Sequence, residues 1–213
     1  MNALSAVLFD FGGTLDADGA TWKERFRHLY RDAGVTIQPD EFDPVFYEVD
    51  DKLVGAIPPT LSFRDTVLRL ASGLAAAFGG PNPALAERIA GRFVADALER
   101  LHANRKLLAA LSERYRLGVV SNFYGNLATV CEDAGIGRFL SVVVDSARVG
   151  YAKPDPRIFQ EAARQLAIEP SRVVFVGDSL LRDMAGARAV GMPHIWLAAP
   201  GPGGSGRAAP TTA

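Results

Sequence analysis

The sequence predicts a doubly wound α/β fold, a parallel sheet flanked by helices, carrying a small all-helical cap domain. Short apolar runs without alternation recur along the chain, each closing on a polar or glycine-bearing turn, which is how strands buried on both faces read. Helix-period segments separate the later runs, and strand–helix alternation implies a parallel sheet. Between the first and second runs lies a long insertion, residues 17–103, that shows helical patterns only.

The first run is Ala6–Phe9, ending at Asp10. In the insertion, Trp22, Phe26, Leu29 and Tyr30 fall at helical spacing. Asp43-Pro44 reads as the opening of a second helix. Ser62-x-x-Asp65 resembles a capping box ahead of Val67, Leu68, Leu70 and Leu74, and Asn82-Pro83 opens a fourth helix running to about His102. Linkers are expected near Asp16–Thr21 and Leu101–Arg105. The core resumes with a helix over Asn104–Tyr115 and the run Leu117–Val120 before Ser121-Asn122. A helix over Tyr124–Ala134 closes at Gly135, and the run Val142–Val144 precedes Asp145. Asp155-Pro156 supplies an N-cap and a first-turn proline for a helix over Pro156–Leu166. The run Val173–Val176 leads into Gly177-Asp178, a helix over Leu180–Val190 closes at Gly191, and a weaker run, His194–Leu197, follows. The expected division is a core over 1–16 and 104–199 and a cap over 17–103. A Gly/Pro/Ala/Ser/Thr-rich tail over 200–213 is expected to be disordered.

Composition narrows the class. The chain has 213 residues, 48% of them hydrophobic and 22% charged, with a formal net charge of −1. That suits one substantial core with a small satellite, and it lacks the basic excess that nucleic acid or anionic membrane requires. No stretch reaches the ~18 apolar residues of a spanning helix, and the N-terminus lacks the positive region of a signal peptide. Cys131, the single cysteine, makes neither an internal disulfide nor a multi-cysteine metal site and reads as a buried helix residue. A cytoplasmic monomer or homodimer acting on a small molecule, with no nucleic-acid or membrane partner, is the expectation.

In open α/β sheets, ligands bind outside the carboxyl ends of the strands. The polar residues there are Asp10, Ser121-Asn122, Asp145 and Asp178, with Lys153 close after the third run and Asp183 a helical turn beyond Asp178. Carboxylates converging on one edge repel unless a cation joins them. Oxygen ligands without thiolates favour Mg²⁺ over zinc. A metal, a carboxylate, a lysine and a Ser/Asn pair suit a phosphoryl group: the carboxylate attacks while cation and ammonium neutralise the equatorial oxygens. Singly, Asp10 and Asp178 also read as turn residues, Ser121 as a helix cap and Lys153 as a solvated charge.

Together these residues carry a resemblance. Val7-Leu8-Phe9-Asp10-Phe11-Gly12-Gly13-Thr14-Leu15, Val119-Val120-Ser121-Asn122, Lys153-Pro154 and Gly177-Asp178-Ser179-x-x-x-Asp183 resemble the four ordered motifs of the haloacid dehalogenase (HAD) superfamily. Gly186-Ala187 and Ala189-x-Gly191-Met192 match the usual continuation of the fourth, and the helical insertion sits where that family carries its cap. The resemblance implies a HAD-like Rossmannoid core binding Mg²⁺ and a small phosphorylated substrate. It implies that Asp10 is nucleophile and metal ligand, that Thr14 supports the phosphate loop, and that Ser121 and the Asn122 backbone bind phosphate oxygens. Lys153 would neutralise nucleophile and phosphoryl charge. Asp178 would bind Mg²⁺, with Asp183 as ligand or as the group orienting one.

One position departs from the pattern. Phosphatases of this superfamily carry a second aspartate two residues after the nucleophile, as acid/base, and here that residue is Gly12. The backbone carbonyl that binds metal is kept; the proton-transfer group, worth about 10²–10⁴-fold in rate, is not. A phosphatase with weaker or substrate-assisted catalysis, or with a stand-in from Asp16, Asp18 or His28, is one reading, Asp16 also reading as a linker-turn residue. Dehalogenases also lack the second aspartate but alter the fourth motif, retained here. Phosphonoacetaldehyde hydrolases carry a small residue there and a Schiff-base cap lysine, for which Lys23 and Lys52 are the cap's only lysines. A binding protein on a hydrolase scaffold is the remaining reading. The cap is expected to exclude water and read the leaving group. Its arginines read as solvated and its stripe Trp22/Phe26/Tyr30 as cap core.

Overall fold

The computed structural model describes residues 3–198 and the segment 209–210. The first strand, β1 (Ala6–Phe9), is buried at every position. The insertion folds as α1 (Trp22–Asp32), α2 (Pro39–Leu53), α3 (Phe63–Gly79) and the start of α4 (Pro83–Ser112). Then follow β2 (Arg116–Ser121), α5 (Leu127–Asp133), β3 (Leu140–Asp145), α6 (Ser146–Val149), α7 (Pro156–Leu166), β4 (Val173–Gly177), α8 (Ala185–Ala189), β5 (His194–Trp196) and β6 (Ala209–Pro210).

The sheet order is β3-β2-β1-β4-β5-β6; the first five strands are parallel and β6 pairs antiparallel with β5. Phe9 aligns with Val119 and with Val176, and β4 runs on to Gly177 and β2 to Ser121, so the three parallel strands present their carboxyl ends on one edge. Period-2 alternation splits β1 between two cores. Ala6 and Leu8 pack with Ile158, Phe159 and Ala187 of α7 and α8. Val7 and Phe9 face a core that runs on through Phe11 and Leu15 into Phe26, Phe63 and Phe93 of the helical insertion. The sheet face and the cap therefore bury one continuous apolar mass.

Several helix ends differ from the sequence expectations. The stretch Leu101–Arg105, expected as a linker, is helical throughout: α4 carries neither Gly nor Pro from Phe93 to Ser112 and buries Ala97, Leu101 and Leu108 along one face. The helix expected to open at Asp43-Pro44 begins instead at Pro39, behind Gln38, and Pro44 lies inside it. Phe42 and Phe46, one turn apart and both buried, straddle Pro44, so packing requires helix on both sides of it. α5 starts at Leu127 rather than Tyr124, because the Asp145 carboxylate accepts the N–H groups of Gly125 (2.9 Å) and Leu127 (3.0 Å) and holds the preceding loop. The expected helix over Leu180–Val190 divides into a wide turn, Leu180–Met184, and α8. Asp155 and Pro156 open α7 as expected, with Asp155 accepting from Arg157 N. The tail expected to be disordered, 200–213, lies outside the described residues except for Ala209–Pro210. Among the described residues no helix is long and apolar enough to cross a membrane.

Candidate active site

Asp10 stands one residue beyond β1, its N–H still donating to Val176 O (2.9 Å). Its Oδ1 accepts from Phe11 N (2.7 Å) and Ser121 Oγ (2.7 Å) and lies 2.7 Å from Lys153 Nζ. All of these donors hold one oxygen; Oδ2 has no hydrogen-bond donor among the described residues. Oxygens of Asp10, Asp178 and Asp183 lie within 4.8 Å of one another.

The surrounding chain is shaped to admit this cluster. Gly13 has φ +86°, and a Cβ there would sit 2.6 Å from Asp178 Oδ2; a Cβ on Gly177 would collide with the Asp183 carboxylate. Thr14 Oγ1 donates to Asp178 Oδ1 (3.1 Å), and Ser179 N donates to Asp183 Oδ2 (2.9 Å). Lys153 Nζ bridges to Asp183 Oδ1 (2.6 Å) as well as to Asp10, with its side chain only 2% exposed. Asn122 does not turn its side chain to the cavity centre: Oδ1 accepts Lys153 N (2.6 Å) and Nδ2 donates to Lys153 O (3.0 Å), so it fixes the lysine's backbone.

Three carboxylates share one ammonium: Lys153 pairs with Asp10 and Asp183, and its charge reaches Asp178. Burial first, and then the charges of Asp10 and Asp183, push the Asp178 carboxyl up to about 7. Burial likewise raises Asp183, against the opposing pull of Lys153. Burial lowers the Lys153 amine, but the charges of Asp10 and Asp183 outweigh it and hold it above the ordinary lysine value. Excess negative charge on oxygen ligands alone is the donor set of a hard divalent cation, so the residues present fit Mg²⁺.

Asp145, grouped with these acids in the sequence, is not in the cluster. Its carboxylate accepts from Gly125 N, Leu127 N and Ala147 N and serves the loops flanking β2 and β3.

A cavity of about 220 Å³ covers the strand ends. Its floor includes Asp10, Gly12, Ser121, Asn122, Lys153, Asp178 and Asp183; the cap contributes Trp22, Lys23, Phe46, Tyr47 and Asp50. Thr14 touches it only through Asp178. The place above Gly12 is taken by Trp22, since a Cβ on Gly12 would lie 3.0 Å from the indole Nε1. The Trp22 ring packs against Phe93 (centroids 4.9 Å apart) and Phe123 (5.7 Å), while Phe26 and Tyr30 of the same stripe are cap core.

The stand-ins considered for the missing aspartate lie elsewhere. Asp16 is fully buried, accepting from Gly13 N (2.7 Å) on Oδ1 and from Trp22 Nε1 (2.7 Å) and Arg25 Nη1 (2.8 Å) on Oδ2. It clamps the motif loop to the start of α1. Arg25 is accordingly not solvated: its guanidinium lies 3.9 Å from the Phe93 ring centroid. Asp18 pairs with Arg100 (2.8 Å), and His28 is exposed; neither lines the cavity. Of the cap lysines, Lys52 is exposed and paired with Glu48, and Lys23 lines the cavity but pairs with Asp43.

Sequence reasoning missed Asp50, Tyr124 and Arg182, which line the cavity. A signal for Asp50 existed: it follows Phe42 and Phe46 at four-residue steps, an acid on the face where α2 otherwise buries phenylalanine.

The model of haloacid dehalogenase-like hydrolases matches residues 4–191. A glyceraldehyde 3-phosphate phosphatase of Methanothermobacter thermautotrophicus is 34% identical over 201 residues, covering 90% of this chain and 84% of that protein. The bovine haloacid dehalogenase-like hydrolase domain-containing protein 3 is 44% identical over 87 residues; the match spans 41% of this chain and 35% of the relative's length. The crystal structure of an L-2-haloacid dehalogenase superposes with a TM-score of 0.58 at 25% identity, covering 95% of this chain and 89% of that one.

Proposed function

This chain belongs to the haloacid dehalogenase-like hydrolases, and on that premise we propose that it is a Mg²⁺-dependent phosphatase acting on a small phosphorylated metabolite through an aspartyl-phosphate on Asp10. The observation that carries the reading is the nucleophile's own environment. Oδ1 of Asp10 is held by Phe11 N, Ser121 Oγ and Lys153 Nζ, which leaves Oδ2 as the attacking oxygen.

Asp10, Asp178, Asp183 and the Gly12 carbonyl would hold the cation, which supplies charge neutralisation of the phosphoryl oxygens when bound. The chain's own groups do the rest. Lys153, its backbone pinned by Asn122, neutralises the nucleophile and the transferring phosphoryl group. The Asn122 N–H donates to a phosphoryl oxygen. The Ser121 hydroxyl, which gives its one proton to Asp10 Oδ1, turns it to a phosphoryl oxygen when substrate binds, and Thr14 holds Asp178 in place. Oδ2 attacks phosphorus, the leaving oxygen takes a proton, and water then cleaves the acyl phosphate to regenerate the carboxylate. Trp22, Phe46 and Phe123 wall the cavity and limit water during the first step.

The competing chemistries fit less well. Dehalogenases alter the fourth motif, whereas both of its aspartates, Asp178 and Asp183, are present here and converge on Asp10. A Schiff base needs a free neutral amine, whereas Lys52 lies outside the cavity. At Lys23 burial lowers the amine, but bonds to Asp43 and Tyr47 outweigh it and keep it charged. The phosphatase-named relative at 34% identity supports the same choice. Hydrolysis of p-nitrophenyl phosphate with Mg²⁺ is the test: the wild-type chain turns it over, and EDTA or Asp10→Asn abolishes turnover. Wild-type inactivity across a broad panel of phosphate monoesters would reject the reading.

A further inference from the structure

The phosphatase reading leaves the leaving group without a proton donor, because Gly12 has no side chain and Trp22 fills the space beside it. Among the described residues that line the cavity, the carboxylates are Asp10, Glu24, Asp50, Asp178 and Asp183. Asp10, Asp178 and Asp183 form the nucleophile and cation cluster. Glu24 is engaged in the capping box of α1, accepting from Thr21 N (2.9 Å) and Thr21 Oγ1 (2.8 Å) on one carboxylate oxygen. Asp50 alone has no such engagement. It enters the cavity from α2, half-buried, and the Tyr124 hydroxyl donates to its Oδ1.

We propose that Asp50 is the general acid and base of this site, supplied by the cap in place of the side chain that Gly12 lacks. The proposal rests on the phosphatase reading. In the first half-reaction Asp10 Oδ2 bonds to phosphorus, the bond from phosphorus to the leaving oxygen breaks, and that oxygen takes the proton of the Asp50 carboxyl. In the second, water attacks the phosphorus of the aspartyl-phosphate and its proton goes to the Asp50 carboxylate. The bond between phosphorus and Asp10 then breaks, releasing inorganic phosphate and restoring both aspartates.

The surroundings suit a group that trades a proton. Burial raises the Asp50 carboxyl above the ordinary aspartate value and the Asp51 charge adds to this, while the Tyr124 hydrogen bond and the charge of Arg182 pull it back. A carboxyl so balanced holds its proton closer to neutral pH, where acid–base catalysis is most effective. Tyr124, itself buried and far above its ordinary value, stays a hydrogen-bond donor and fixes the carboxyl's orientation.

A general acid matters in proportion to how poor the leaving group is, which a purely structural or binding role does not reproduce. The experiment compares kcat/KM for phenyl phosphate and 2,4-dinitrophenyl phosphate, similar in shape and different in leaving-group basicity. Asp50→Asn is expected to lose about 10²–10³-fold on phenyl phosphate and less than tenfold on the dinitrophenyl ester. Asp50→Glu, whose carboxyl moves by one methylene, shows the same selective loss at smaller size, which keeps the test intact should asparagine disturb the fold. Equal losses on both esters, or none on either, overturn the assignment while leaving the phosphatase reading standing, provided the wild-type activity still depends on Asp10. Wild-type inactivity on both esters, or activity that survives Asp10→Asn, overturns the phosphatase reading and the assignment with it.

Discussion

Restoring the absent aspartate with Gly12→Asp looks like the obvious gain-of-function change, and the structure predicts that it fails. The Gly12 backbone, at φ −73° and ψ 122°, lies in a region open to any residue, so strain is not the obstacle. Space is: the new Cβ would meet Trp22 Nε1 at 3.0 Å and Cδ1 at 3.1 Å. The indole cannot step aside freely, because Nε1 donates to the buried Asp16 carboxylate (2.7 Å) and the ring packs against Phe93 and Phe123. Giving up a hydrogen bond to a charged acceptor costs about 1.5–3 kcal/mol, and overpacking costs about 1–3 kcal/mol. These are partly alternative outcomes, so Gly12→Asp destabilises by about 2–4 kcal/mol, a Tm loss of roughly 4–16 °C for a chain of this length. Thermal unfolding and kcat on p-nitrophenyl phosphate read the two effects separately. Gly12→Ala, which makes the clash without adding a carboxyl, should lose most of the same stability. A tenfold rise in kcat with unchanged Tm would refute the reasoning, since it would mean that Trp22 yields freely and that the missing carboxylate limits the rate.

Further outcomes follow from the same geometry. Lys153→Met leaves three carboxylates without their buried ammonium, costing about 3–5 kcal/mol in thermal unfolding and about 10²–10³-fold in kcat. Asp16→Ala strands Arg25 and frees Trp22, so Tm falls and KM rises together; a normal KM would show that the clamp does not shape the cavity. Asp178 titrates near 7 in the fold, above its value in the unfolded chain. Without metal, ionising it therefore opposes folding, and stability falls as pH rises from about 4 towards 7. The proposed Mg²⁺ site needs the ionised form, so the expected Tm increment on adding Mg²⁺ is larger at pH 8 than at pH 5.5. An increment that is flat or falls with pH would place the cation elsewhere.

Much of this molecule was legible in its residues. The apolar runs at Ala6–Phe9 and Val173–Val176 became central strands because a strand buried on both faces has no polar positions to obscure it. Asp155-Pro156 fixed the start of α7 through local chemistry alone. Asp10, Asp178, Asp183 and Lys153 converge because parallel strands of matched register end at one edge. Other features depended on contacts that no local pattern carries. Pro44 sits inside α2 because Phe42 and Phe46 are both needed in the cap core, and α4 runs past Leu101 because one buried face spans cap and core. Asp145 sits at a strand end like the others, yet loop N–H groups claim its oxygens. The fit of Trp22 over Gly12 and the approach of Asp50 to Tyr124 bring together residues distant in sequence, so periodicity could not reveal either.

In the proposed reaction Oδ2 of Asp10 is the atom that takes the phosphoryl group. Acid-quenching the chain during turnover of p-nitrophenyl phosphate with Mg²⁺, followed by peptide mass spectrometry, reads this directly. One hydroxylamine-labile phosphoryl group is expected on the peptide containing Asp10, and none in Asp10→Asn. Phosphate released in a burst-free reaction with that peptide unmodified, or a phosphoryl group on another residue, would contradict it.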